Sequence, residues 1–385
     1  MGHPPVHAFL AHPSMAMMVL GFILLLAPLV LIHEAGHYLV ARACGVGVRV
    51  FSVGFGREIF GWTDRHGTRW KISMLPLGGY VQFMGDMNAT SQPARMDGAA
   101  AMSPAERARC FQYKPLWQRA AVVLAGPAAN FIVAVLVFAA FTLAYGELRA
   151  PAVISGFANG SPAKAAGLLE GDRIVAIDGH AVASFEDVRE AVLPRPGEGI
   201  VITVLRDHRQ VVVHLTIGKQ VMHDEFGNSQ TIGMLGVASG SIQRVPVGPV
   251  GALGAGLSQS VSMMGTMVTG IRQIVTSQRS VHELGGPIKI ARYSGERLSL
   301  GFLQFAYFSG LISINLAFIN LLPIPGLDGG HLAFYLVEAV RRRPMGLLVQ
   351  DWAFRIGLGL VLGLMLFVTI NDLASLNLFG HVFAR

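Results

Sequence analysis

Residues 29-LVLIHEAGHYLVARA-43 close a long apolar run, and inside it stand two histidines, a glutamate and an arginine. Ionisable groups are costly in hydrocarbon, so their presence there marks function. On a helix, residues four apart lie one above the other on the same face. His33 and His37 can therefore reach one ion, while Glu34 is turned about 100° from His33 and can stand near that ion without binding it. Two imidazoles and an adjacent carboxylate in this spacing are the arrangement of a zinc site with a general base.

Working outward, 15-MAMMVLGFILLLAPLVLIHEAGHYLVA-41 is long enough to cross a bilayer, since a span needs roughly 20 mainly apolar residues. A second span is 120-AAVVLAGPAANFIVAVLVFAAFTLAY-145, and a third, 302-FLQFAYFSGLISINLAFINLLPIPG-326, breaks at Pro323 and Pro325. The run 356-IGLGLVLGLMLFVTI-370 is a shorter fourth. Serines and glycines in 247–277 favour a peripheral helix over a fifth span. With 52% apolar and 14% charged residues, the chain does not have the composition of a soluble protein.

The net charge of +7 raises the question of nucleic acid, but no interleaved basic and aromatic patch supports such a partner. The cations report topology instead. Arg42, Arg49, Arg57, Arg65, Arg69, Lys71, Arg95, Arg107, Arg109, Lys114 and Arg119 fall between the first two spans, and Arg341, Arg342, Arg343 and Arg355 between the last two. By the positive-inside rule both loops are expected to be cytoplasmic, with both termini and the 150–300 region outside. No basic stretch precedes the first apolar run, which reads as a retained anchor. Val6 occupies the position where a myristoylation signal needs Ser or Thr. Cys44 and Cys110 do not suggest a disulfide framework.

The β-rich runs VGVRVFSV, REIFGW and RWKISML, separated by turns such as 65-RHG-67, end in 75-LPLGGYVQFMG-85. Non-helical backbone at membrane depth must line protein or a water cavity. After Pro151 a strand (AVISGF), a short helix capped by Ser161 and stopped at Gly167, a strand (RIVAI), a helix opened by Ser184 with Asp187 in a capping box, and a hairpin around Asp207-His208 follow in order. With 161-SPAKAAGLLEGDRIVAIDG-179, this order resembles a circularly permuted bacterial PDZ domain. Residues 219–246 can add closing strands.

A catalytic zinc takes three protein ligands. The third is expected from Asp328 in 320-NLLPIPGLDGGH-331, just past the broken end of the third span, with His331 as the rival. His33 lies about 27 Å down the first helix, at similar depth near the same face. The pair in 282-HELGG-286 lacks a second histidine and reads as loop.

Together the HEAGH span, GGYVQFMGD, 114-KPLWQRAAVVLAGPAANF-131, the PDZ-like region, 285-GGPIKIA-291 and NLLPIPGLDGG resemble the site-2 protease family of intramembrane zinc metalloproteases, nearest its regulator-of-sigma-E branch. The resemblance runs over nearly the whole chain. It implies zinc held by His33, His37 and Asp328, with Glu34 deprotonating water. It implies that Asn320 bonds substrate backbone, with a helix–helix hydrogen bond as the lesser alternative. Gly78, Gly79, Tyr80 and Val81 would lie on a re-entrant strand that takes up an unwound substrate. Gly126, Pro127 and Asn130 match a family motif but read as packing residues.

The fold expected is a polytopic α-helical membrane protein of about four spans, with a membrane re-entrant β-hairpin or sheet and an inserted extracytoplasmic PDZ domain. Its expected segments are a first transmembrane helix (1–45), a membrane-associated β element (46–85), a cytoplasmic loop (86–117) and a second transmembrane helix (118–146). A PDZ domain (150–220), further strands with a peripheral helix (221–300), a third transmembrane segment (301–338) and a basic loop with the fourth helix (339–385) follow. The resemblance implies a bacterial inner membrane, membrane lipid as surroundings, and single-pass membrane protein substrates. These would be anti-sigma-factor-like proteins, already cut outside by an upstream site-1-type protease under stress, or signal-peptide remnants. The best-known members carry two tandem PDZ domains, and this chain has room for one. That domain is expected to act before substrate entry, by blocking bulky outer domains in preference to binding an exposed C-terminus in its peptide groove. A non-enzymatic scaffold would close its zinc with a fourth ligand, and a zinc transporter would need several ligand sets; neither is found in the sequence.

Overall fold

The first long helix, α1 (Met15–Ala43), begins at Ser14, whose side chain accepts from the Met17 amide, and keeps Pro28 within it. Its buried residues include Gly21, Leu25, Leu29, His33, His37 and Ala41, one every four positions, so the two histidines lie on the stripe that faces protein. The computed structural model describes residues 13–85, 103–223, 229–240, 243–276, 286–343 and 345–375. Much of the expected 86–117 loop and most of 282-HELGG-286 lie outside them. The chain divides into two compact units, Met1–Ala139 with Gly256–Arg385, and Ala140–Ala255.

In the first unit α1 leads into β1 (Val48–Thr63) and β2 (Arg69–Phe83), which pair antiparallel. The register is folded on itself. Phe51 faces Val81 on one side and Trp70 on the other, while Trp62 faces Trp70 from beyond, so two long strands make four lanes. Gly54 and Gly56, at φ of 90° and 91°, supply the bend in β1, and a Cβ on Gly54 would lie 3.0 Å from the Ser73 carbonyl oxygen. The last lane, Gly79–Phe83, packs Val81 and Phe83 into a core with Ala41, Phe51, Val122 and Val123.

A short helix, α2 (Pro104–Arg109), is held by a capping box between Ser103 and Glu106. The second span, α3 (Leu116–Tyr145), buries Val122, Gly126, Asn130, Ala134 and Phe138, again at intervals of four. Matching i±4 rows on α1 and α3 suit ridge-into-groove packing.

The second unit carries β3 (Glu147–Arg149), β4 (Ile154–Phe157), α4 (Pro162–Ala165), β5 (Arg173–Ile177), β6 (His180–Ala181), α5 (Phe185–Val192), β7 (Gly199–Arg206) and β8 (Arg209–Thr216). Sheet order is β6-β5-β7-β8. Ser161 and Ser184 cap their helices, the latter with Asp187 in a capping box, and Asp207 and His208 turn the β7–β8 hairpin at positive φ. This is the element order expected of a PDZ domain. The unit extends past residue 220, however. Beyond β9 (Gly218–His223) and β10 (Ser229–Met234), β11 (Val237–Ser239) pairs with β4, and Leu235 joins the core of Ile154, Ile174, Ile202 and Val204. Without β11 the β4 edge would be left unpaired. The strand β12 (Gln243–Val245) then pairs with β3, bringing the two ends of the unit together.

Among the described residues four helices are apolar and long enough to cross a membrane, α1, α3, α8 (Phe302–Leu321) and residues 348–373 of α10 (Leu347–Ser375), and the helix α6 (Pro249–Val275) is not one of them. Its Met263, Met264 and Met267 nonetheless pack with Phe138 and Ile314 of α3 and α8. Its hydroxyls turn back onto its own carbonyls, Ser260 to Gly256 at 2.8 Å and Thr269 to Gly265 at 3.0 Å, so sequence polarity understates its fit beside the spans. The helix α7 (Pro287–Ser299) crosses α1 closely: a Cβ on Gly21 would sit 2.7 Å from the Ser294 carbonyl carbon. Its first turn is capped from α10 by Asp372, which accepts from the Gly286 and Lys289 amides at 3.2 and 3.0 Å. Past Leu321 the prolines end α8, and α9 (Asp328–Arg341) starts after a tight turn. The turn folds back so closely that a Cβ on Gly330 would lie 2.7 Å from Pro325 Cα, which explains the paired glycines after Asp328.

Candidate metal centre

Two elements, α1 and α9, meet in the first unit. The α1 stripe brings His33 and His37, each 8% exposed, against the first residue of α9, Asp328. His33 Nε2 lies 3.1 Å from Asp328 Oδ2 and His37 Nε2 lies 3.5 Å from the same oxygen. The two Nε2 atoms are 3.2 Å apart. One ligand atom from each residue falls within 4.8 Å of the other two, and Asp328 Oδ2 is buried without a hydrogen-bond partner. Two imidazole nitrogens and a carboxylate oxygen are a donor set that suits zinc with one position left open. Among the described residues this is the one such cluster found.

The cluster opens on a cavity of about 320 Å³. Glu34, Gly79, Tyr80, Val81, Asn320 and His331 line it with the three candidate ligands. The backbone of Val81 hydrogen-bonds the Glu34 carboxylate, and a Cβ on Gly79 would stand 3.8 Å from Glu34 Cγ. Gly78 does not line this cavity; it sits at φ 138° beneath the Phe55 ring. His331, the rival ligand, shares the cavity but not the ligand cluster. At the rim Arg119 makes a two-point contact with Glu338, at 2.7 and 3.4 Å, and lies over the Tyr335 ring.

The profile of Peptidase family M50 matches residues 21–364. The chain belongs to this family. Over 366 residues it is 43% identical to Atu1380 of Agrobacterium fabrum, whose name reads zinc metalloprotease, covering 93% of this chain and 96% of that one. Metalloprotease MmpA of Caulobacter vibrioides is 36% identical over 392 residues, 95% of this chain and 97% of its own. Among solved structures, the PDZ domain of the SdrC-like protein from Listeria monocytogenes matches at 18% identity with a TM-score of 0.19, covering 23% of this chain and 87% of that one. This M50 member is a zinc metalloprotease, and its N, N, O cluster fits the metal.

Gly126 and Asn130, which read as packing residues in the sequence, stand against the two histidines, and so does Val122. His37 Nδ1 lies 2.8 Å from the Val122 carbonyl oxygen of α3. His33 Nδ1 lies 3.3 Å from Asn130 Nδ2. Between them Gly126 faces the rings: a Cβ there would collide with His37 Nε2 and sit 2.8 Å from His33 Nε2. Pro127 has no amide to bond the Val123 carbonyl one turn back, so α3 continues with one ladder bond fewer beside this contact. The signal was present as Val122, Gly126 and Asn130 at intervals of four, but only the partner helix gives that row a meaning.

Proposed function

We propose that this M50 zinc metalloprotease is an intramembrane endopeptidase that cuts the transmembrane segments of single-pass membrane proteins. The observation that carries the reading is the position of His33, His37 and Asp328 between apolar helices, in a cavity shared with the β2 lane at Gly79–Val81. A transmembrane helix hides its amides, so its carbonyl reaches a site only after local unwinding, and a strand edge re-satisfies the groups set free. Zinc, when bound, lowers the pKa of coordinated water toward 7 and polarises a carbonyl.

In this reading His33, His37 and Asp328 hold the metal. The Glu34 carboxylate accepts the proton of the attacking water and passes it to the leaving amide nitrogen. The β2 lane orients the unwound segment, and the Asn320 amide bonds its backbone. The substrates are anti-sigma-factor-like proteins trimmed outside by a site-1-type protease, or signal-peptide remnants. The enzyme resides in a bacterial inner membrane with the PDZ-type unit outside and the site toward the cytoplasm; the distribution of basic residues supports that orientation. The test is to incubate full-length protein and zinc in vesicles with tagged single-pass substrates and map the new termini. Termini within the apolar segments are expected. Cleavage confined to extramembrane loops would overturn the reading.

A further inference from the structure

Both candidate histidines turn Nε2 toward Asp328 and Nδ1 toward α3. An imidazole that ligates through Nε2 carries its proton on Nδ1, and that N–H needs an acceptor. For His37 the Val122 carbonyl oxygen, at 2.8 Å, serves directly. For His33 the facing group is the carboxamide of Asn130, a side chain 1% exposed, with Nδ2 3.3 Å from Nδ1 and with Oδ1 buried and without a hydrogen-bond partner. An amide nitrogen cannot accept the Nδ1 proton. A half-turn of the carboxamide exchanges its nitrogen and oxygen with little change in shape, and the proton on Nδ1 selects between them.

We propose that Asn130 is the positioning residue of the zinc site: its Oδ1 accepts from His33 Nδ1–H whenever His33 Nε2 is a ligand, fixing the tautomer and the plane of that ring. This rests on the assignment of His33 as a ligand. The half-turn leaves the amide NH2 as the group without a partner, so ligation has to outweigh that loss. Two features hold Asn130 in place for this role. Ser313 of α8 donates to the Asn130 backbone carbonyl at 2.8 Å and ties the α3 segment to α8. Gly126, one turn earlier on the same face, lets α3 approach the rings at all. The two acceptors, Val122 and Asn130, thus come from one helix and serve both histidines. A plain helix–helix hydrogen bond, by contrast, would be indifferent to which carboxamide atom faces the ring.

The chemistry separates the two. In Asn130→Asp the side chain accepts but offers no NH2, and in Asn130→Leu it does neither. Zinc affinity is measured on full-length protein in detergent by competition with a chelating dye, with thermal unfolding in excess chelator as the control for fold. Loss of such an outer partner lowers metal affinity roughly 10- to 100-fold. That loss is expected for N130L, while N130D holds zinc within about threefold of the parent or more tightly. Equal loss in N130D and N130L, or undiminished zinc binding in N130L, overturns the proposal. Should N130L fail to fold, N130D decides alone: retention supports the role and a tenfold loss ends it. His33→Ala isolates the underlying assignment, since zinc kept by H33A shows that His33 is not a ligand, whereas zinc lost by H33A and by N130D alike removes only the role of Asn130.

Discussion

Gly126 of α3 lies so close to His33 of α1 that a methyl group on the glycine would stand 2.8 Å from the Nε2 atom. The absence of a side chain is therefore a requirement of the site. Gly126→Ala is expected to push α3 from α1 and to lower both zinc content and proteolysis, with a stability loss of about 1–3 kcal/mol from overpacking. Metal analysis and thermal unfolding of the purified variant check this. Full zinc content in G126A would show that the helices separate freely.

The proposed mechanism gives Glu34 a different role from its neighbours, and substitutions should divide accordingly. Glu34→Gln preserves shape while removing the proton acceptor, so close to one zinc per chain should remain while turnover falls by roughly 10²–10⁴. His33→Ala and Asp328→Ala should lose both metal and turnover. Full activity in E34Q would sink the assignment of the base.

In the PDZ-type unit, Asp172 is buried and takes a two-point hydrogen bond from Arg206, at 2.7 and 2.6 Å, and another from the Leu169 amide at 2.9 Å. The Arg206 guanidinium holds the Asp172 carboxyl below the usual carboxylate range. A carboxyl whose pKa is depressed by folding contributes stability that is fully present above its unfolded pKa, near 3.9, and is lost as pH falls through the folded value. Asp172→Asn should therefore open β5 and β7 at pH 7 by about 1–3 kcal/mol relative to the parent, with the difference shrinking below about pH 4. Hydrogen exchange of residues 173–206 in the full chain reads this directly. A difference that persists unchanged at pH 3 would rule out the charge as its source.

The Arg119–Glu338 pair joins α3 to α9 at the cavity rim, with both side chains 17% exposed. Removing one member leaves a poorly solvated charge, at a cost of about 3–5 kcal/mol for a fully buried pair and less here. The expectation is that Glu338→Leu destabilises more than the double variant Arg119→Met with Glu338→Leu. Thermal unfolding of the parent and the two variants decides it, and a double variant less stable than Glu338→Leu would mean that the lost partner is not the source of the cost.

Orientation and gating can be tested together. In a chain whose Cys44 and Cys110 are replaced, a cysteine at Arg65 should be shielded from impermeant reagents in intact cells, and one at Glu190 should react. Because β11 completes the unit and β12 pairs with β3, a clean deletion of the PDZ-type unit removes residues 151–241 and joins the β3–β12 pair by a short turn. That enzyme should cut untrimmed substrates in vesicles if the unit blocks folded outer domains. Continued rejection of the long form by a well-folded deletion removes the gating role.

The histidine pair was legible because helix geometry is local: any helix over residues 33–37 stacks the two imidazoles, whatever surrounds it. The spans, the Ser184–Asp187 capping box and the Asp207–His208 turn were legible for the same reason, each being settled within a few residues. Asp328 was reachable because the prolines before it end a span near the depth of His33. The double register of β1 with β2 was not legible, since runs of alternating residues do not say which lane pairs with which.

The remainder depended on partners far along the chain. Val122 serves His37 from 85 positions away, Asn130 faces His33 across 97, and Arg119 meets Glu338 across 219. Within α3 alone, Val122, Gly126 and Asn130 are an apolar residue, a gap and a helix-interface amide. The i±4 row acquires its function only when α1 is laid against it, because a missing Cβ matters where another ring occupies the space and an amide oxygen matters where a proton faces it. Sequence alone singled out His33, His37 and Asp328 as the residues of one cluster; the packing of α3 on α1, with Ser313 donating to the Asn130 carbonyl, decided how the two imidazoles are held.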